Sequence, residues 1–254
     1  MHWRFFSESG YKRQRFVGIL LMGEGEKTMA RQKETKGSRT FPVAVMLTLA
    51  GGYLDAYTYS ARGKVFANAQ TGNIVKLGIS AANRDFARCG ELMLPIIAFT
   101  VGVLLSMIIE TYMKRRKMPF IRRSVLIIEI VMLLASMFLP QDAAGNMIAN
   151  SMISLICAMQ METFKMFIGQ PITTTVSTGN LRKLVEFMYQ GILEHDKEKR
   201  ETAVIYLIVV LAFIAGALIG TLITNTYQLY SAVVPAVLLM FGFLEISRIY
   251  YLNN

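Results

Sequence analysis

Six long apolar stretches dominate this chain. They run roughly over residues 42–61, 92–113, 121–140, 147–167, 203–224 and 231–249. Each is close to the roughly 20 residues that a helix needs to cross a hydrocarbon core of about 30 Å. Backbone at membrane depth must satisfy its own hydrogen bonds, and helices do so. The expected class is therefore an all-α integral membrane protein. Composition agrees: 54% of residues are hydrophobic and mean hydropathy is +0.42, well above an ordinary soluble domain. The net charge of +10 would suggest nucleic acid in a soluble protein. Here the basic residues border apolar runs, so they read as topology signals and contacts to anionic lipid, with no nucleic acid partner. Cys89, Cys157, His2 and His195 are too few and too scattered for a metal site or a disulfide framework.

Residues 1–40 differ from the rest. They hold nine Lys/Arg, four Glu and one short apolar run at 16–23, too short to span and a weak signal-peptide core. They read as a mobile basic cytoplasmic arm, or as a stretch partly ahead of a true start at Met29. Membrane repeats are expected over 41–140 and 141–254.

Two weakly apolar segments, 65–83 and 171–192, lie between the spans. The positive-inside rule decides whether they cross. The amino-terminal arm and the loop 114–123, which has six basic residues and no acid, belong in the cytoplasm. That requires an even number of crossings between them, so 65–83 dips in and returns. The same logic puts 141–146 and 224–230, which lack Lys and Arg, outside, and 194–201 and Arg248 inside. The cost is that Arg84 and Arg88 lie outside. The expectation is six transmembrane helices plus two re-entrant or broken helices, with both termini cytoplasmic. Eight spans is the alternative.

The two interruptions resemble each other. At an offset of 107, Thr71-Gly72-Asn73 lands on Thr178-Gly179-Asn180, Lys76 on Lys183, and Asp55 on Glu162. At an offset of 114, residues 98–105 land on 212–219. Polar residues inside spans are rare and rarely coincide, so the pattern reads as a duplication. Each half has three crossings, which makes the second half run opposite to the first. That is the inverted-repeat plan of many secondary transporters.

The stretch from Gly52 to Asp55, with Val65–Leu77 and its TGN, resembles the signature of the YoaK-like family, bacterial membrane proteins of unknown function. The likeness covers roughly residues 40–250. It implies a multi-span inner-membrane protein and no particular activity.

Candidate site residues follow from the repeat. A helix starting at Thr71 leaves its first N–H groups without intrahelical partners. Thr71 or Asn73 would cap some of them, Gly72 would permit close approach, and the remainder would favour an anion or a carbonyl oxygen. Thr178, Gly179 and Asn180 would offer the same from the opposite leaflet. Packing of a capped helix start is the competing explanation. Asp55 and Glu162 lie inside spans, where a carboxylate is costly unless paired, hydrated or protonated. Lys76 and Lys183 are the expected partners, and proton or Na⁺ exchange at the acids is the functional alternative to a fixed ion pair. Glu129 is also deep, facing a cavity or neutralising Lys76, and Gln160 and Thr174 are weaker cavity candidates.

No nucleophile–base pair, phosphate loop, dinucleotide fingerprint or metal spacing is present. The expectation is no enzyme and no cofactor. The leading reading is a small-solute or ion transporter, with proton coupling to an anionic substrate; a membrane scaffold or assembly protein is second and a lipid-modifying enzyme third. Membrane lipid and the solute are the expected partners, and homo-oligomers are compatible with the plan.

Overall fold

The computed structural model describes residues 24–116 and 121–252, with side chains described from Thr40 onward. The described chain is almost wholly helical: α1 (Glu24–Ala61), α2 (Gln70–Ala82), α3 (Phe86–Arg115), α4 (Ile121–Ser136), α5 (Ala143–Thr163), α6 (Thr178–Leu193), α7 (Lys197–Tyr227) and α8 (Val233–Tyr251). A two-residue antiparallel hairpin, β1 (Met166–Phe167) and β2 (Gln170–Pro171), follows α5. A 3₁₀ turn, Gln228–Ala232, joins α7 to α8.

The six apolar stretches fall on α1, α3, α4, α5, α7 and α8, the third closing early at Ser136. The fourth ends at Thr163, so Lys165–Phe167 belong to the turn and first strand rather than to the helix. The basic stretch before residue 40 is helical from Glu24. The apolar run 16–23 and the rest of the expected arm lie outside the described residues.

Polarity is inverted relative to a soluble protein. On α7, Leu207, Leu211, Ile214, Leu218 and Leu222 recur at helical spacing and are all exposed, while Asp55, Arg62, Asn73, Glu129, Asn150 and Gln160 are buried. An apolar exterior of this extent is incompatible with water as the surrounding solvent. By length and composition, Phe86–Met113 and Lys197–Tyr251 are long and apolar enough to cross a membrane.

Two sets of helix ends can be traced through their contacts. At one end Arg62 bonds to Leu139 O, Pro140 O and Asn146 Oδ1. There Gln141 bonds to Ala61 O and Gln228, and Arg88 bonds to the carbonyls of Gly63 and Lys64. At the other end Arg122 lies over the Phe164 ring and Arg123 over the Tyr250 ring. The loops expected outside are thus gathered together, away from the basic loop and the carboxyl terminus.

The helix pairings obey an exchange rule. α1 packs on α7, as α5 packs on α3; α2 packs on α3, as α6 packs on α7; α4 packs on α5, as α8 packs on α1; and α4 packs on α8. Exchanging the first four helices with the last four reproduces these seven pairings, while the slight α3–α4 contact has no equal counterpart between α7 and α8. The close approaches match too. A Cβ on Gly102 would strike the Leu155 carbonyl of α5, and one on Gly216 would strike the Leu49 carbonyl of α1. These two glycines stand at the same 114-residue offset seen in the sequence.

Each half also contains an extended segment that turns back along its own helix. Residues 65–69 run down beside α1: Ala67 N donates to Thr58 Oγ1 and Asn68 Nδ2 to Gly51 O. Helix α2 then climbs back, since Lys76 Nζ reaches Lys64 O at 2.7 Å. With 13 residues, α2 is only about 20 Å long at 1.5 Å per residue. In the second half, residues 172–177 precede α6, whose 16 residues give about 24 Å. Tyr206 on α7 bonds to Pro171 O and stacks on Phe187 of α6.

Candidate functional site

The two TGN segments fold alike, by a means different from the expected cap. In α2 the amide of Asn73 accepts from Phe66 N at 3.0 Å and donates to Phe66 O at 2.7 Å. In α6 Asn180 accepts from Thr173 N at 3.2 Å and donates to Thr173 O at 2.6 Å. Each asparagine therefore clips its helix to the extended strand that precedes it, satisfying the polar edge of that strand inside an apolar body. Both are buried. Thr71 does not cap α2; the position before the helix is Ala69, with no side-chain cap. Gly72 is needed for packing, because a Cβ there would lie 3.0 Å from the Phe66 ring, whereas Gly179 faces open space.

Asp55 does not pair with Lys76. Its Oδ1 accepts from Asn68 N at 2.8 Å and Ala69 N at 3.4 Å. The carboxylate thus sits where the positive end of the α2 dipole favours an anion. Lys76 instead donates to Lys64 O and lies 4.5 Å and 4.4 Å from the centres of the Tyr59 and Phe66 rings. The second expected pair also fails. Lys183 bonds to Glu186 at 3.1 Å, one turn away on its own helix, and Glu162 pairs with Lys165. Residues three apart in sequence, on one helix for Lys183 and Glu186 and across a helix end for Glu162 and Lys165, meet at little entropic cost, so they outcompete the longer contact. The α5 residue that meets the second extended segment is Gln160, within 2.9 Å of Thr174 Oγ1.

Asp55 and the amino ends of both short helices share one cavity of about 350 Å³. Asp55, Ala69 before α2, and Ser177 and Thr178 at the start of α6 line it; Phe66, Phe213 and Ala217 supply apolar wall. It is open toward Tyr59, Ser60 and Thr221, which are exposed. The two helix ends are not equivalent there. Asp55 occupies the first, while no side chain caps the second. The arrangement offers an acid, hydroxyl groups and helix N–H groups on a mostly apolar surface, the usual make-up of a small-molecule pocket.

Two buried charged residues complete the picture. Arg62, fully buried, bonds to Tyr57 Oη, Ser136 O, Leu139 O, Pro140 O and Asn146 Oδ1, and Asn150 donates to its carbonyl. It ties the end of α1 to the end of α4 and the start of α5. Sequence reading missed it, because its partners are carbonyls that carry no signature. Its position just past a span, at the end expected outside, was the one available cue. Glu129 does not neutralise Lys76. It lies fully buried beside Gln160, at the α4–α5 contact. Among the described residues, no group of three or more His, Cys, Asp or Glu could hold a metal ion.

Comparison with known proteins adds a family and a relative. Residues 43–244 match the family described as "Protein of unknown function (DUF1275)". The UPF0700 transmembrane protein YoaK of Bacillus subtilis (strain 168) is 24% identical over 209 residues, covering 80% of this chain and 92% of that protein. No solved structure matches.

Proposed function

The chain belongs to the DUF1275 family of proteins of unknown function, and we propose that it acts in the membrane as a carrier for a small organic solute, not as an enzyme. Its body would comprise six crossings and two re-entrant helices, in two inverted repeats with both termini in the cytoplasm. Three observations support that topology. The seven helix pairings are unchanged when the halves are exchanged. Lys76 and Arg88 both bond back to Lys64 O, so residues 64–88 begin and end together. The loops without Lys or Arg gather at the end opposite the basic loop, as the charge rule requires.

The observation that carries the function is the shared cavity. The amino ends of two short helices, one from each half, meet Asp55 in a space of about 350 Å³. Broken helices that meet between repeats are where carriers bind their solutes. The free amino end of α6 suits a carboxylate or another acceptor oxygen, and Phe66, Phe213 and Ala217 suit a short apolar chain attached to it. The proposed substrate is therefore a small organic acid.

Thermal unfolding of the purified protein with a panel of short-chain carboxylates tests this. A bound solute raises the midpoint by mass action. At least one carboxylate is expected to raise it in the parent and not in Ala217→Phe, which adds bulk to the cavity wall without removing a polar group. If no carboxylate separates the two proteins, the carrier reading is wrong.

A further inference from the structure

Glu129 is fully buried on α4 and, among the described residues, has no cation beside it. Its neighbour is the amide of Gln160, itself 1% exposed, and the far side of that amide meets the buried hydroxyl of Thr174. The amide fits this place in two ways. In one, Gln160 Nε2 donates to Thr174 Oγ1 at 2.9 Å and Oε1 faces the Glu129 carboxyl. In the other, Nε2 donates to both Glu129 oxygens, at 2.7 Å and 2.8 Å, and Oε1 accepts from Thr174 Oγ1 at 2.9 Å.

The two fits correspond to two protonation states. Two acceptors cannot face each other in a dry site, so the first fit requires a proton on Glu129, which then donates to Gln160 Oε1. The second suits an ionised Glu129, which accepts from the amide. Only the carboxyl has to gain or lose an atom; the amide turns over and Thr174 Oγ1 changes from donor to acceptor. A carboxyl inside a membrane protein with no cation is costly to keep.

We infer that Glu129 is a proton-binding site, and that Gln160 relays its occupancy to Thr174 on the segment leading into α6. That segment also forms the cavity wall at Val176 and Ser177, and the Thr174 carbonyl lies against Gly51 of α1. Proton binding frees the Thr174 hydroxyl to donate elsewhere, and so alters the hydrogen bonding of a cavity-lining strand. The inference rests on the carrier reading only for its use; the proton site stands without it. The other titratable groups around Glu129 are few. α5 brings Cys157, which both Glu129 and Asp55 of α1 are near enough to act on electrostatically. α3 brings Glu110 to Arg122, about two turns before Glu129. The buried face of α8 carries Pro235, Ala236, Leu239 and Gly242, none of them titratable.

Infrared difference spectroscopy between acid and alkaline pH tests the assignment on the full chain in lipid. The Asp55→Asn background removes the other carboxyl near Cys157. A protonated-carboxyl band is expected there that vanishes on adding Glu129→Gln. Gln160→Leu keeps the carboxyl and removes its partner, so the band is expected to move to higher frequency and to titrate at a different pH. It also serves if Glu129→Gln fails to fold. A spectrum unchanged by Glu129→Gln, or a band indifferent to Gln160→Leu, overturns the inference. No solute is needed, so absence of transport leaves this result readable.

Discussion

Arg62→Met tests the most connected side chain in the protein. Methionine keeps much of the stem and removes the guanidinium. Of the five acceptors that lose a donor, Leu139 O and Pro140 O lie at a partly exposed turn where water replaces it. The Ser136 carbonyl and Tyr57 hydroxyl are buried and keep one longer bond each, from Leu139 N at 3.3 Å and to Leu229 O at 3.5 Å. A hydrogen bond to a charged group contributes about 1.5–3 kcal/mol net. Methionine needs no desolvation and leaves no unpaired charge behind, since all five acceptors are neutral, which offsets part of the loss. The expected result is a fall of about 2–3 kcal/mol in unfolding free energy, the scale of lost charged hydrogen bonds, read from denaturant titration in micelles. Arg62→Lys is expected to recover less than half of it, because an ammonium cannot span acceptors on α1, α4 and α5 at once. A loss below about 1 kcal/mol for Arg62→Met, the scale of a surface pair, would refute the claim that this side chain joins the halves.

Asn73→Ala and Asn180→Ala break the same clip, and each is expected to cost about 2–4 kcal/mol on the scale of a buried polar group losing its partners; a thermal midpoint that falls for one and not for the other would contradict their equivalence. Gly216→Leu forces a side chain into the Leu49 carbonyl and is expected to abolish folded protein in size-exclusion profiles. Gly179→Ala meets open space and is expected to stabilise α6 by up to about 1 kcal/mol through helix propensity. In a Cys89→Ser background, cysteines at Asn83 and Ala144 are expected to react with an impermeant thiol reagent from the cell exterior, and one at Lys197 only after the membrane is opened; labelling of both 83 and 144 only after opening would mean that residues 64–88 cross.

Much of this architecture was readable in the sequence because its signals are local or periodic. Span-length apolar runs and the two TGN marks placed the helices along the chain. The partners of the charged residues were not readable. Asp55 and Lys76 look like a pair in one dimension, but the extended strand interposes the N–H groups of Asn68 and Ala69, which reach the carboxylate first. Glu162 matches Asp55 at the offset of 107, yet the contact to the second strand falls to Gln160, because the helix–strand junctions of the two halves differ in length. Arg62 and Glu129 meet carbonyls and an amide, groups that leave no mark in composition or spacing.

The pairing scheme also bears on how the molecule is assembled during synthesis. α1 finds its main partners, α7 and α8, in the last third of the chain, and α3 finds α5 across the midpoint. Neither half carries a complete interior of its own: each lends its third helix to the first helix of the other. Cutting the polypeptide in the turn between α4 and α5 should therefore yield two fragments that are degraded when made singly and recovered as a complex when made together.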